Sequence, residues 1–130
     1  MRVIAAVLTV LLAWSAFSTI RATDQNRPVL DVIIVDTNGD LDGFLDRMDR
    51  IQKVNERLEL GATLRVFRNT FAASETGEVR LYWELPSFVA FADAETKLHA
   101  DAEFLAVLDD LDKAGQSFKS ELLSIEITRQ

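Results

Sequence analysis

Cysteine is absent from this 130-residue chain, and with it go disulfide cross-links, thiol catalysis and thiolate metal sites. Histidine occurs once, at His99, so no paired catalytic histidine can be assembled. No nucleophile elbow and no glycine-rich phosphate loop are present, which leaves hydrolase chemistry without support. Two prolines and five glycines are too few and too scattered to mark a linker or a low-complexity tract. Basic residues are also scarce, 14 against 21 acidic ones. A surface of that sign repels phosphate backbones and anionic membranes, so nucleic acid is not an expected partner.

One long apolar run is present, at the start. After Met1 and Arg2 it covers residues 3–17, broken only by Thr9 and Ser15. That is the length of a secretory h-region and short for a membrane span. The pattern predicts a signal peptide over 1–22, with cleavage after Ser18 (Ala16 third-last) or after Ala22 (Ile20 third-last). The expected location is secreted or periplasmic, with no stable membrane association after cleavage. Only Arg2 supplies positive charge ahead of the run, so an uncleaved N-terminal anchor is the alternative. No cysteine lies near either cut, which excludes lipidation there. Removing Arg2 and Arg21 leaves 12 basic side chains against 21 acidic, a formal charge of −9 on residues 23–130. Those 108 residues make one domain with room for a real core.

The periodicities that follow occur twice in the order strand, helix, strand. Residues 29–35 are dense in β-branched side chains and read as a central strand. Asp36-Thr37-Asn38-Gly39 is a turn, because Asn and Gly tolerate positive φ. Over 40–60, Asp40 or Asp42 can cap a helix whose apolar face is Phe44, Leu45, Met48, Ile51, Val54 and Leu58, closed by Gly61. Residues 62–71 extend, and a turn over 73–77 predicts an antiparallel hairpin with 78–85. In that second strand Val79, Leu81, Trp83 and Leu85 take one face, and Glu78, Arg80, Tyr82 and Glu84 the other. A helix over 87–114, capped by Ser87, has the stripe Phe88, Phe91, Leu98, Ala102, Leu105, Leu108 and Leu111. A kink is expected near Leu98–Asp101, with Asp101 capping a second segment. The last strand, 118–127, sets Leu123, Ile125 and Ile127 against Phe118, Leu122 and Glu126.

Two such units fold most simply as a ferredoxin-like βαββαβ domain of α+β class, a four-stranded antiparallel sheet with both helices on one face. The other face keeps Arg80, Tyr82, Glu84, Phe118 and Glu126. A mixed apolar and charged face of this kind marks an interface or a ligand cleft.

The passage Thr76-Gly77-Glu78-Val79-Arg80-Leu81-Tyr82-Trp83-Glu84-Leu85-Pro86-Ser87-Phe88 carries a resemblance. A tryptophan and an acidic residue on a strand run straight into a Ser-capped helix. With the element order, it resembles the dimeric α+β barrel superfamily, including antibiotic-biosynthesis-monooxygenase-like and NIPSNAP-like domains. At the level of pattern the likeness covers residues 23–130. It implies a homodimer whose two sheets pack face to face, with ligands bound in the cavity under each sheet. Haem-handling members pair a histidine on the second helix with an earlier aromatic residue there and an asparagine on the first strand. Here Phe91 stands at the aromatic position, His99 is offset, and the first strand has no suitable asparagine. His99 therefore reads as a surface or helix-boundary residue, and no cofactor is expected.

Residues 38–49 also match parts of a calcium loop: Asn38, Asp40, Asp42, Asp46 and Asp49 at ligand spacing, with Gly43 at the sharp turn. Against it stand Asn at the first position, Asp in place of the bidentate Glu at the last, and a strand where a helix should enter. An acidic helix N-terminus uses the same residues. Trp83 shares the alternation that faces the helices and reads as core. Arg80, Tyr82 and Glu84 are the better binding candidates, with Arg80 able to hold an anion and Tyr82 to donate a hydrogen bond, or with Arg and Glu forming a structural ion pair. The expected function is an exported module, structural or binding a small, partly apolar ligand. A cofactor-independent monooxygenase is the alternative that the resemblance implies, and calcium-dependent interaction is the third.

Overall fold

A computed structural model describes residues 24–71, 74 and 76–127. The apolar run and both cleavage sites lie outside the described residues. Strand β1 (Val29–Asp36) leads into helix α1 (Leu41–Arg57), then β2 (Thr63–Arg68) and β3 (Val79–Leu85). Helices α2 (Phe88–His99) and α3 (Ala102–Lys113) follow, and β4 (Ser117–Ile125) closes the domain. The sheet order is β2-β3-β1-β4 and every pairing is antiparallel, the ferredoxin-like arrangement. Among the described residues, no helix is long and apolar enough to cross a membrane.

Each helix starts where a short polar side chain can accept a backbone N–H. Asp40 Oδ1 accepts from Gly43 at 2.9 Å, Ser87 Oγ from Ala90 at 3.0 Å, and Asp101 Oδ1 from Phe104 at 3.0 Å. Gly43 is needed at the first of these. A Cβ there would fall 2.2 Å from Asp40 Oδ2, so any side chain would push the cap away. The kink expected near Asp101 is a full break, which makes three helices among the described residues. It also resets the helical phase. The buried line of α3 is Val107 and Leu111, while Leu105, expected in the core, is exposed. On α1 the buried line is Phe44, Met48, Ile51, Val54 and Asn55, and Leu45 lies beyond its edge.

One row of the sheet meets the helices. Val29, Trp83 and Leu85 pack with Val54 of α1 and with Phe88, Phe91, Ala94 and Leu98 of α2. Val35, Val79 and Leu81 pack with Phe44, Met48 and Ile51 of α1 and Val107 and Leu111 of α3. Trp83 is thus a core residue, its ring 5.7 Å from that of Phe91. Arg50 ties α1 to α3, reaching Glu103 at 2.8 Å and Asp110 at 2.6 Å.

The turns at one end of the sheet are joined through Gln116, which is 4% exposed. Its Nε2 donates to the carbonyls of Thr37 (3.0 Å) and Asp40 (2.9 Å), and its Oε1 accepts from Arg47 at 3.2 Å. Asn38 Nδ2 donates to Ala114 O at 3.1 Å beside Gly115, where a φ of +70° favours glycine and a Cβ would fall 2.8 Å from that nitrogen. Gln116→Ala removes three hydrogen bonds from a buried site and is expected to lower stability by about 2 kcal/mol, read as an earlier urea midpoint.

The residues of the supposed calcium loop are used otherwise. Helix α1 begins at Leu41, so Asp42, Asp46 and Asp49 ride on successive helical turns and cannot converge with Asp40, which caps the helix, or Asn38, which binds Ala114. Among the described residues, no group of three or more His, Asp or Glu side chains is placed to hold a metal ion.

Candidate functional site

The helix-free face of the sheet carries the alternate rows. Antiparallel register sets directly opposed residues on the same side, so Leu30, Val32 and Ile34 of β1 lie beside Glu84, Tyr82 and Arg80 of β3. Beyond them come Thr63, Arg65 and Phe67 of β2 on one flank, and Ser124, Leu122 and Ser120 of β4 on the other. Apolar side chains are bare on both flanks, with Phe67 of β2 50% exposed and Leu122 of β4 65% exposed, and Leu30, Val32, Ile34 and Tyr82 between them are half-buried.

An open cleft of about 830 Å³ crosses one end of this face. Tyr82 and Phe67 form its floor, rings 5.0 Å apart and near perpendicular at 80°. Leu30 and Phe71 add apolar wall, and an Arg65–Glu84 ion pair, Arg68 and Glu126 stand at the rim. Of the residues expected on this face, Tyr82, Glu84 and Glu126 meet in the cleft. Arg80 shares their row at the opposite end, where its Nε donates to Glu78 Oε1 at 2.7 Å. Phe118 is placed differently. A register shift between Ile34 and Val35 sets Phe118 opposite Val35, a core residue, and out of the row of Leu122. Simple two-residue alternation fails at such a bulge. The β2 contributions, Arg65 and Phe67, were not singled out from the sequence, although their two-residue spacing is the same signal that marked Tyr82 and Glu84.

The helix-covered face holds a second feature that the sequence reading passed over. Asp31 sits in the middle of the apolar run of β1 and is 2% exposed. Its row-mates are Trp83 on β3 and Leu123 on β4. Burial pushes the Asp31 carboxyl up to about 9, helped by the negative charge of Glu121 and a hydrogen bond shared with it. Glu95 on α2 is raised to about 7, again by burial first and by Glu121 second. One turn further on, His99 Nε2 lies 3.4 Å from Glu95 Oε2, and burial holds the imidazole below its ordinary range. Its ring stands edge-on to Phe104 at 5.7 Å. His99 is the last residue of α2, so it is a helix-boundary residue, as expected. Two polar atoms here, Asp31 Oδ1 and Trp83 Nε1, are buried without a hydrogen-bond partner.

Comparison with known proteins supplies no family. No family model matches the chain, and no curated protein matches it. The strand order and the chemistry of the two faces are what a functional reading has to stand on.

Proposed function

We propose that this chain is an exported ligand-binding protein that works as a homodimer, two copies meeting through their helix-free faces around a small, partly apolar molecule. The observation that carries this reading is the uncovered apolar surface of that face, from Phe67 to Leu122, continuous with an unroofed cleft. Leu30, Val32, Ile34, Phe67, Tyr82 and Leu122 form an apolar field, interrupted on β3 by Arg80 between Phe67 and Ile34 and by Glu84 beside Leu30. Such a field is favourable to cover, at about 25 cal/mol per Å². Four strands of six to nine residues give a flat area of roughly 450 Å². Two such faces, with side-chain relief, approach the roughly 1,200 Å² at which specific interfaces begin. A second copy matches the field in size and polarity, and it would roof the cleft. The resemblance to the dimeric α+β barrel superfamily supports the same arrangement, and the apolar N-terminal run supports export.

The monooxygenase alternative needs a group in the cleft that draws a proton from the substrate. The carboxyls whose protonation the fold perturbs most, Asp31 and Glu95, lie on the other side of the sheet.

The probe 1-anilinonaphthalene-8-sulfonate, an aromatic anion, tests the cleft. Saturable binding is expected, weakened about tenfold by Phe67→Ala or Tyr82→Ala through loss of one stacking wall. Leu105→Ala, exposed on α3 across the domain, is expected to leave it unchanged. Binding that ignores both cleft substitutions would contradict the reading.

A further inference from the structure

The cluster beneath α2 serves neither the open face nor the turns. Asp31 belongs to an inner strand, Glu121 to the edge strand β4, and Glu95 and His99 to α2. The three carboxylates sit on three different elements, and the β1–β4 register sets Glu121 diagonally beside Asp31 on the helix-covered face. We propose that Asp31, Glu121, Glu95 and His99 form a proton-operated latch: protonated Asp31 hydrogen-bonds Glu121 and holds β4 and α2 together, and release of that proton to solvent separates them.

The surroundings give the latch its sense. The groups acting on Asp31 are Glu121 from β4 and Glu95 from α2, both acidic. β3 brings only Val79, Leu81, Trp83 and Leu85 to this side. On α2, Lys97 pairs with Asp93 at 2.8 Å; on α1, Arg57 pairs with Asp101 at 2.7 Å and Arg50 with Glu103 and Asp110. Among the described residues, no cation offsets a charge on Asp31. Ionised Asp31 would face two acidic neighbours in a low-dielectric site, and the relief open to it is separation and entry of water. The unpartnered Asp31 Oδ1 and Trp83 Nε1 are an independent sign that the closed packing is strained here. They give entering water an acceptor and a donor. Glu121 is exposed, which provides a route for the proton.

Trp83 is the natural reporter, since Trp14 is the only other tryptophan. In the full chain carrying Trp14→Phe, Trp83 emission is expected to titrate with its principal step between pH about 7 and about 9. Its quenching by acrylamide should rise about twofold across that step while far-UV circular dichroism stays constant. Asp31→Asn should abolish the step. Glu121→Gln, at an exposed position that keeps a hydrogen-bonding amide, should lower its midpoint by about one pH unit through loss of the neighbouring charge. Flat emission and quenching over the whole range would overturn the latch. So would a step that survives both substitutions unchanged.

Discussion

Asp31→Asn is expected to make the protein more stable, by about 3 kcal/mol at pH 8, with a Tm higher by roughly 10 °C. The direction follows from proton bookkeeping between the two states. In the folded protein the Asp31 carboxyl holds its proton up to about 9, whereas its ordinary value is 3.8. Between those limits the folded state binds a proton that the unfolded state has released, so stability falls steadily as pH rises and levels off above about 9. Glu95 adds a decline from 4.5 to about 7. Asp36 runs the opposite way. The N–H of Asn38, and then Lys119, hold its carboxyl below the usual range, so its contribution is lost only as the pH falls below about 4. Wild-type stability should therefore peak in mild acid. Asparagine keeps the shape and a donor toward Glu121 but cannot ionise, so its pH curve should be flatter. Thermal melts from pH 4 to 9 compare the two proteins. A wild-type curve that rises from pH 5 to 9, or Asp31→Asn destabilised throughout, would contradict the account.

The second large effect concerns the open face. Val32 lies at its centre, opposed by Tyr82 on one side and Leu122 on the other. An aspartate there can remain hydrated in a single copy, but in a face-to-face pair it is buried while the nearby cations of this face, Arg65 and Arg80, are already paired with Glu84 and Glu78. Val32→Asp is expected to weaken self-association at least about a hundredfold, consistent with the cost of an unpaired buried charge. Monomer stability should change little, because the substituted side chain leaves the helix-packed core untouched. Concentration-dependent light scattering reads the association, and circular dichroism reads the fold.

Much of this domain is legible from local signals. The caps at Asp40, Ser87 and Asp101, the Asn38-Gly39 turn and the alternation of β3 are each decided by neighbours within four residues. That is why the element order and strand pairing can be read without coordinates. The failures arise where distance in sequence matters. The bulge near Phe118 depends on how β4 pairs with β1, more than eighty residues away. The stripe carried through Leu98 into Leu105 misses the phase change at Asp101, because a cap marks where a helix starts and not the angle at which it leaves. Asp31 is the clearest case. In the sequence it is one acidic residue inside an apolar strand, and its meaning comes only from Glu121 and Glu95, brought to it by the fold. The cleft is intermediate: Tyr82 and Glu84 show by alternation, while Arg65 and Phe67 gain significance once β2 is known to flank β3.

The central claim is that the helix-free face belongs to a second copy. Sedimentation equilibrium of residues 23–130 at micromolar concentration tests it most directly. A species of twice the chain mass, reduced to a single chain by Val32→Asp, is the expected result. A wild-type protein that stays monomeric at those concentrations would contradict it.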